Sequence, residues 1–493
     1  MIATQMLSRH AELAAEVLPT GALFIGGDRV THTSSGFLER IDPTTGRPLG
    51  SFPVAGPNEI DRAVDAAWAA FPAWKEFPAD RRRQLLMRLA NVLRENELEF
   101  AQIKALETGT PLSHSLLTSA IDHFEYYAGW SDKFEGELIT SYPARAFDYV
   151  KYEPYGVIGA LITWNGPVTN AAMKLAPALA AGNCVVLKTP ENGPFAVLRM
   201  MELFLEAGLP EGVVNVISGG PDTAQALIRH PGIRKVSFTG GPGVARSIMA
   251  TAAESLTPVT LELGGKSANI IFADADLEKA ATMAARMGSI QSSGQGCLYP
   301  TRLLVESSVY DEVVDRVAAI SGSVVPGDPI DPATSMGPVI GDGAVQRILG
   351  YIDEAKKTSR LVAGGNRLDG EFGDGAFVPP TVFADVDPLS RLAQEEVFGP
   401  VLAITRFDAE EDAVRIANAT DYGLAAYVHT NDLRRAHRMA DALDVGYIGV
   451  NAFPIMTASA PFGGIRASGF GREGGRAGIE EFVHHKNVYI PLD

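Results

Sequence analysis

The sequence predicts an α/β fold: a Rossmann-like parallel-sheet domain, a second α/β domain after it, and a small protruding hairpin. Three observations lead there. A chain of 493 residues is too long for one hydrophobic core and is expected to divide into two or three domains. Between residues 156 and 263, short apolar runs alternate with helical patterns, which implies right-handed crossovers and a mostly parallel, dinucleotide-type sheet. A second series of apolar runs follows beyond residue 300 without a low-complexity linker or a fixed-period repeat.

Taken in order, Gly21 to Val54 reads as short strands separated by turn clusters such as Asp42-Pro43-Thr44-Thr45-Gly46. A helix cap is expected at Asn58, with helical patterns running through Glu107. From Ala128 to Tyr152 aromatic and polar residues of irregular period suit a protruding hairpin. Strands are then expected at Gly156–Thr163, Cys184–Lys188, Val213–Ile217, Lys235–Thr239 and Pro258–Leu263. Helices between them should cover Val168–Ala181, Pro194–Ala207, Asp222–Arg229 and Val244–Ser255. The second series places strands near Leu303–Val305, Val401–Phe407, Leu424–His429 and Tyr447–Val450.

Composition narrows the functional class. Hydrophobic residues make up 46% and charged residues 20%, ordinary values for a globular enzyme with a large interior. The formal charge of -17 argues against nucleic acid or an anionic membrane as partner, so an anionic cofactor must be held by local donors. No apolar run approaches a membrane span, and Arg9, His10, Glu12 and Glu16 interrupt the start where a signal peptide would be apolar. Two cysteines in so long a chain, Cys184 and Cys297, read as reduced and cytoplasmic. Cys184 opens an apolar run and reads as a packed strand residue, and no histidine has metal-ligand spacing with either cysteine, so no metal is expected.

The chemistry concentrates between Pro258 and Pro300. Glu262 closes the alternating run Val259-Thr260-Leu261-Glu262-Leu263, and Gly264 and Gly265 then suit a sharp turn with positive φ. About 35 residues later the polar, glycine-rich segment Ser292-Ser293-Gly294-Gln295-Gly296 delivers Cys297, followed by Leu298. A lone cysteine is more often a buried, inert residue, and a glutamate beside two glycines is more often a turn residue.

The combination shifts that balance. Glu262-Leu263-Gly264-Gly265-Lys266, followed at this distance by Gly294-Gln295-Gly296-Cys297, resembles the aldehyde dehydrogenase superfamily. The resemblance extends from about Phe24 to Ile490 through Trp164-Asn165-Gly166-Pro167, Glu396-Val397-Phe398-Gly399-Pro400, Pro461-Phe462-Gly463-Gly464 and Gly469-Phe470-Gly471-Arg472-Glu473. It implies an NAD-binding domain at 1–131 and 152–261, a catalytic domain at 262–465, and oligomerisation elements at 132–151 and 466–493. It also implies an oxidation of aldehydes in which Cys297 is the nucleophile, Glu262 the base for water, and Asn165 with the Cys297 N–H the oxyanion donors. Lys174 matches a family lysine near the active site, with a helix-surface cation as the alternative. A coenzyme-A-acylating semialdehyde dehydrogenase generally lacks the base glutamate, and a catalytically silent relative would be expected to lose Cys297, Glu262 or Asn165.

The usual Gly-x-Gly-x-x-Gly fingerprint is missing after the first strand, where Thr163-Trp164-Asn165-Gly166-Pro167 stands instead. Lys188 and Glu191 end the next strand and match the family's ribose-binding pair, whose alternative is a surface Lys and Glu. Phosphates are expected at the Gly240-Gly241 turn, where N–H groups and a helix dipole favour an anion. That turn departs from the family pattern at Gly241, Pro242 and Ala245, while Pro242 suits a first helical position. Trp164, Glu396 and Phe398 complete the implied cofactor contacts. An acid at the ribose predicts NAD over NADP, used more weakly.

For the aldehyde, the resemblance places Gly166, Met173, Gly296, Leu298, Phe453, Met456 and Phe462 around a tunnel. Its Met and aromatic character favours bulky hydrophobic substrates. The C-terminal run Asn487-Val488-Tyr489-Ile490-Pro491 reads as an edge strand needing a partner, which in the family belongs to a neighbour's sheet. A homodimer or homotetramer is expected.

Overall fold

The fold was obtained as a computed structural model, which describes residues 2–492 apart from 116, 141, 144, 370–373 and 454. Two sheets dominate it. The first has eight strands in the order Gly469–Phe470, Val259–Leu263, Lys235–Gly240, Val157–Leu161, Cys184–Thr189, Val214–Ser218, Leu23–Ile25 and Asp28–Val30. Its five central strands are parallel, with Phe238 opposite Leu161 on one side and Leu261 on the other. Of these, Val157–Leu161, Cys184–Thr189 and Val214–Ser218 are buried end to end, as expected where helices such as Pro167–Ala180 and Phe195–Glu206 cover a parallel sheet.

The second sheet has seven strands: Arg360–Ala363, Thr381–Ala384, Val401–Phe407, Arg302–Glu306, Ala268–Ile271, Ala425–His429 and Tyr447–Val450. Only the first pairing, Arg360–Ala363 with Thr381–Ala384, is antiparallel. Alternate side chains separate onto two faces. Ile271, Leu303 and Val305 pack with helices Leu277–Ala285 and Tyr310–Ser323, and Ile270, Leu304 and Val428 with helices Glu410–Asn418 and Leu433–Ala442. The active stretch therefore lies where the carboxyl ends of the first sheet meet the amino ends of the second.

Several expectations are corrected. The helix after Val54 is capped by Gly56, not Asn58: Gly56 N–H donates to Glu59 Oε2 at 3.0 Å, and Pro57 begins the helix. Gly264 and Gly265 do not have positive φ. They are glycines because a Cβ would lie 1.9 Å from Glu396 Oε2 at the first and 2.8 Å from the Cys297 carbonyl at the second. Gly469–Phe470 also joins the first sheet, with Gly469 opposite Glu262. The C-terminal run has its partner in its own chain: Val483–Pro491 pairs antiparallel with Ala146–Pro154, which also pairs with Glu137–Ile139.

The first residues form a helix, Ile2–Val17, that sequence reading did not foresee. Buried His10 docks it, its Nδ1 lying 2.7 Å from Asp42 and its Nε2 2.9 Å from Asp328. No helix among the described residues is long and apolar enough to cross a membrane.

Candidate active site

Cys297 is delivered by a strained loop. Helix Leu277–Ala285 passes into a wide turn at Arg286–Ile290, and Ser292, Ser293 and Gly294 then take φ values of 45°, 53° and 69°. Left-handed backbone at non-glycine residues costs of order 1–3 kcal/mol each and persists only where surroundings enforce it. Here Ser293 Oγ donates to the Gly337 carbonyl at 2.8 Å, and Gln295 Oε1 accepts from Ile340 N–H at 2.9 Å. Gly294 also needs its missing side chain, since a Cβ would lie 2.2 Å from the Gly399 carbonyl. Gly296 is compelled by the half-buried Tyr299 ring, 2.6 Å from where its Cβ would stand.

The half-buried thiol lines a cavity of about 280 Å³ together with Thr163, Asn165, Thr239, Glu262 and Glu396. Burial, then Glu396 and Glu262, push its pKa up to about 12, while the N–H groups of Leu298 and Cys297 act the other way. Cys184 is also pushed up to about 12, by burial alone, inside the first sheet. Titration therefore does not separate the two cysteines; access to a polar cavity does.

Glu262 sits at the end of its strand opposite Thr239. It is buried, and neither carboxylate oxygen has a hydrogen-bond partner among the described residues. Burial and the neighbouring Glu473 raise its pKa well above the usual carboxylate range, opposed by Lys174 and Arg472. Gly463 makes room for it, because a Cβ there would lie 2.5 Å from Glu262 Oε1.

Asn165 is oriented by a small network. Thr163 Oγ1 donates to its Oδ1, and its Nδ2 donates to the Gln295 carbonyl at 3.2 Å, which leaves one amide N–H for a ligand. Asn170 holds Thr163 in turn, donating to its Oγ1 at 3.2 Å. Lys174 is no surface cation: only 1% exposed, it donates to Glu473 Oε1 at 2.7 Å and to Ser237 Oγ at 3.1 Å.

Of the residues expected at a cofactor, Trp164, Gly240, Gly241, Glu396 and Phe398 line the same cavity as Cys297, and Lys188 and Glu191 do not. Trp164 meets the Phe398 ring edge-on at 5.5 Å, and Phe398 itself has a φ of 49°. Glu396 Oε1 accepts from Gly265 N–H at 3.1 Å, and burial pushes its pKa up to about 7. Lys188 Nζ donates to Glu191 Oε2 at 3.1 Å. Gly240 ends its strand, Gly241 caps helix Pro242–Ala253 without any side-chain hydrogen bond, and Pro242 takes the first helical position.

Of the seven predicted tunnel residues, Met173, Leu298, Met456 and Phe462 gather beside Cys297 in one apolar cluster with Leu424 and Tyr447. Gly166 caps helix Pro167–Ala180 nearby, and Gly296 precedes the thiol. Phe453 lies apart, lining a separate cavity with Met283 and His429. Sequence reading missed Glu473, Ser237, Thr163, Tyr299, Leu424 and Tyr447. Glu473 and Thr163 carried a signal, at the ends of Gly469-Phe470-Gly471-Arg472-Glu473 and Thr163-Trp164-Asn165-Gly166-Pro167.

A dinucleotide-type parallel sheet meeting a second α/β domain over a cysteine-lined cavity defines an oxidoreductase of the aldehyde dehydrogenase class. The model of the Aldehyde dehydrogenase family matches residues 30–488, and the chain belongs to that family of aldehyde-oxidising enzymes. It is 39% identical over 479 residues to a betaine aldehyde dehydrogenase of Sinorhizobium fredii, covering 96% of this chain and 98% of the relative. Its fold matches the NAD+ complex of an aldehyde dehydrogenase from Bacillus cereus with a TM-score of 0.94, at 36% identity over 98% of this chain and 99% of that one. An indole-3-acetaldehyde dehydrogenase complexed with NAD+ matches with a TM-score of 0.95, at 37% identity and the same coverage of 98% and 99%.

Proposed function

We propose that the protein oxidises a bulky, hydrophobic aldehyde to its carboxylic acid with NAD, through Cys297 as nucleophile and Glu262 as general base. The observation that carries this reading is that Cys297, Glu262 and Asn165 line one cavity. Sulfur attacks the carbonyl carbon; the C–S bond forms and the carbonyl electron pair moves to oxygen. The free Asn165 N–H and the Cys297 backbone N–H meet that oxyanion, and loss of one such donor typically costs about 2.7–4 kcal/mol of barrier. Cys297 attacks as the thiolate, its proton having passed to solvent. A bound nicotinamide supplies the hydride acceptor that turns this adduct into a thioester. Glu262 then takes a proton from water, the hydroxide attacks the acyl carbon, and the C–S bond breaks to release acid and restore the sulfur.

The site fits a dinucleotide. Among the described residues, Thr239 Oγ1 is buried without a partner at the glycine turn, a Cβ at Gly241 or Gly243 would meet only open space, and the helix N–H groups behind it have no side-chain cap. Gly240 and Gly241 would receive the pyrophosphate, Lys188 and Glu191 one ribose, and Trp164, Glu396 and Phe398 the nicotinamide half. The Met173, Leu298, Met456 and Phe462 cluster supports an apolar substrate, and Lys174 with Glu473 sets the charge around Glu262. The active assembly is a cytoplasmic homodimer or homotetramer, in which the unpaired outer edge of Val483–Pro491 is the joining element.

Replacing Cys297 tests this directly. Cys297→Ala should abolish aldehyde-dependent NADH formation while NAD still binds, because the nucleotide contacts lie elsewhere; Cys184→Ala should leave turnover intact. Substantial turnover in Cys297→Ala would remove the assignment.

A further inference from the structure

The second sheet has a crevice of its own at the end away from Cys297. Adjacent parallel strands Ala268–Ile271 and Ala425–His429 send their chains to opposite faces. The first leads into helix Leu277–Ala285, packed with Leu303 and Val305, and the second into helix Leu433–Ala442, packed with Leu304 and Ile270. This is a topological switch point, and in open α/β sheets the crevice at the carboxyl side of such a point is where ligands bind. Cys297 precedes strand Arg302–Glu306 and so stands at the amino ends of the same sheet.

The crevice is built and braced. A cavity of about 510 Å³ opens there, lined among others by His429, Thr282, Met283, Glu278, Asp276 and Phe453. Two clamps hold its rim. Asp274 Oδ2 accepts from Asn431 N–H at 3.0 Å and from Thr430 Oγ1 at 2.8 Å. Asn451, at a φ of 50°, exchanges two hydrogen bonds with the Thr430 backbone, at 3.1 and 2.8 Å. Inside this frame His429 is only 5% exposed, and its Nε2 has no hydrogen-bond partner among the described residues. A buried polar atom left so is costly and calls for a partner. Burial alone pushes His429 down to about 4, so the ring is neutral at physiological pH and can accept. Lys279 lies 3.2 Å from Asp276, Glu278 forms no ion pair among the described residues, and Phe453 is half exposed with no ring contact there. The lining is therefore net negative, with an aromatic face and a neutral acceptor.

We propose that this switch-point cavity is a second ligand site, separate from the dehydrogenase centre, that takes a small organic amine. The ammonium faces Glu278 and donates to His429 Nε2, and the apolar body packs on Phe453 and Met283. An anion of the same size is refused by the carboxylates, and a neutral isostere lacks the charge.

Titration calorimetry near neutral pH with benzylamine, benzyl alcohol and benzoate on the full enzyme decides this. Benzylamine should bind one equivalent per chain, more tightly than benzyl alcohol, with benzoate silent, and alkylation of Cys297 should leave its affinity unchanged. Glu278→Gln should weaken benzylamine about fivefold, the scale of an exposed ion pair, without changing aldehyde turnover. His429→Phe should weaken it at least about tenfold, as expected for a hydrogen bond to a charged group. If that buried substitution unfolds the chain, the exposed Glu278→Gln variant still carries the test. Benzoate binding as well as benzylamine, loss of binding on alkylation of Cys297, or unchanged affinity in Glu278→Gln would overturn the proposal.

Discussion

Lys174 Nζ lies 2.7 Å from Glu473 Oε1, with 1% and 5% of the two side chains exposed, and both act on the charge of Glu262. The pair spans 299 positions of sequence and joins the helix after Asn165 to the C-terminal segment. Removing one partner of a buried ion pair leaves an uncompensated charge and costs about 3–5 kcal/mol. Glu473→Gln should therefore lower unfolding stability in urea by about that amount. It also removes a negative charge that raises Glu262 and leaves the Lys174 cation that lowers it, so the acid limb of the kcat profile should move to lower pH. Unchanged stability together with an unmoved limb would show that the pair does not bear on the base.

Glu262→Gln should trap an acyl group on Cys297, since an amide cannot take a proton from water. Aldehyde and NAD should give one NADH per site and an acyl mass on Cys297 by mass spectrometry; normal turnover would place the base elsewhere. Stability should move the other way. The folded state holds the Glu262 proton more tightly than the unfolded chain, so wild-type stability falls as pH rises above the ordinary 4.5 towards the raised value. The Tm of Glu262→Gln should exceed that of wild type by a margin that grows across that window, and a margin independent of pH would refute the shift.

Cofactor choice should follow Glu191. In the proposed site its carboxylate would accept from ribose hydroxyls and would face the 2′-phosphate of NADP with like charge, whereas Lys188, 3.1 Å away, would pull towards the phosphate. A preference for NAD of roughly one to two orders of magnitude in kcat/KM is expected, equivalent to a few kcal/mol. Glu191→Gln releases Lys188 from its ion pair, so NADP use should rise. Steady-state kinetics showing equal use of both cofactors by wild type, or no gain in the variant, would take the choice away from Glu191.

Deleting the chain from Lys486 should reduce the assembly mass measured by light scattering. The deletion removes most of strand Val483–Pro491 and strips the partner from Ala146–Lys151, so both the joining edge and its support are lost. A mass per particle reduced only by the missing residues would exclude this strand from assembly.

Much of the molecule was legible from local pattern. Strands Val401–Phe407 and Tyr447–Val450 have the bounds their apolar runs indicated, because strand and helix periods are properties of neighbouring residues. Glu262 and Cys297 stood out for the same reason: the glycines and small polar residues that turn the backbone beside them are adjacent in sequence. What the glycines do was not legible. Gly264 and Gly265 looked like turn formers and are contact residues, forced by Glu396 and Cys297 from other parts of the chain.

The sequence by itself determined the class and the alternation of strands and helices between residues 156 and 263, and it singled out the candidate reacting groups, all written in short-range periodicity and motif chemistry. Only the tertiary structure decided that Lys174 is buried against Glu473, that Gly469–Phe470 closes the first sheet beside Glu262, that the C-terminal strand pairs within its own chain, and that Phe453 lines a different cavity from the thiol. Those facts depend on which distant segments the folded path brings within a few ångströms, and no local propensity encodes a contact between residues hundreds of positions apart.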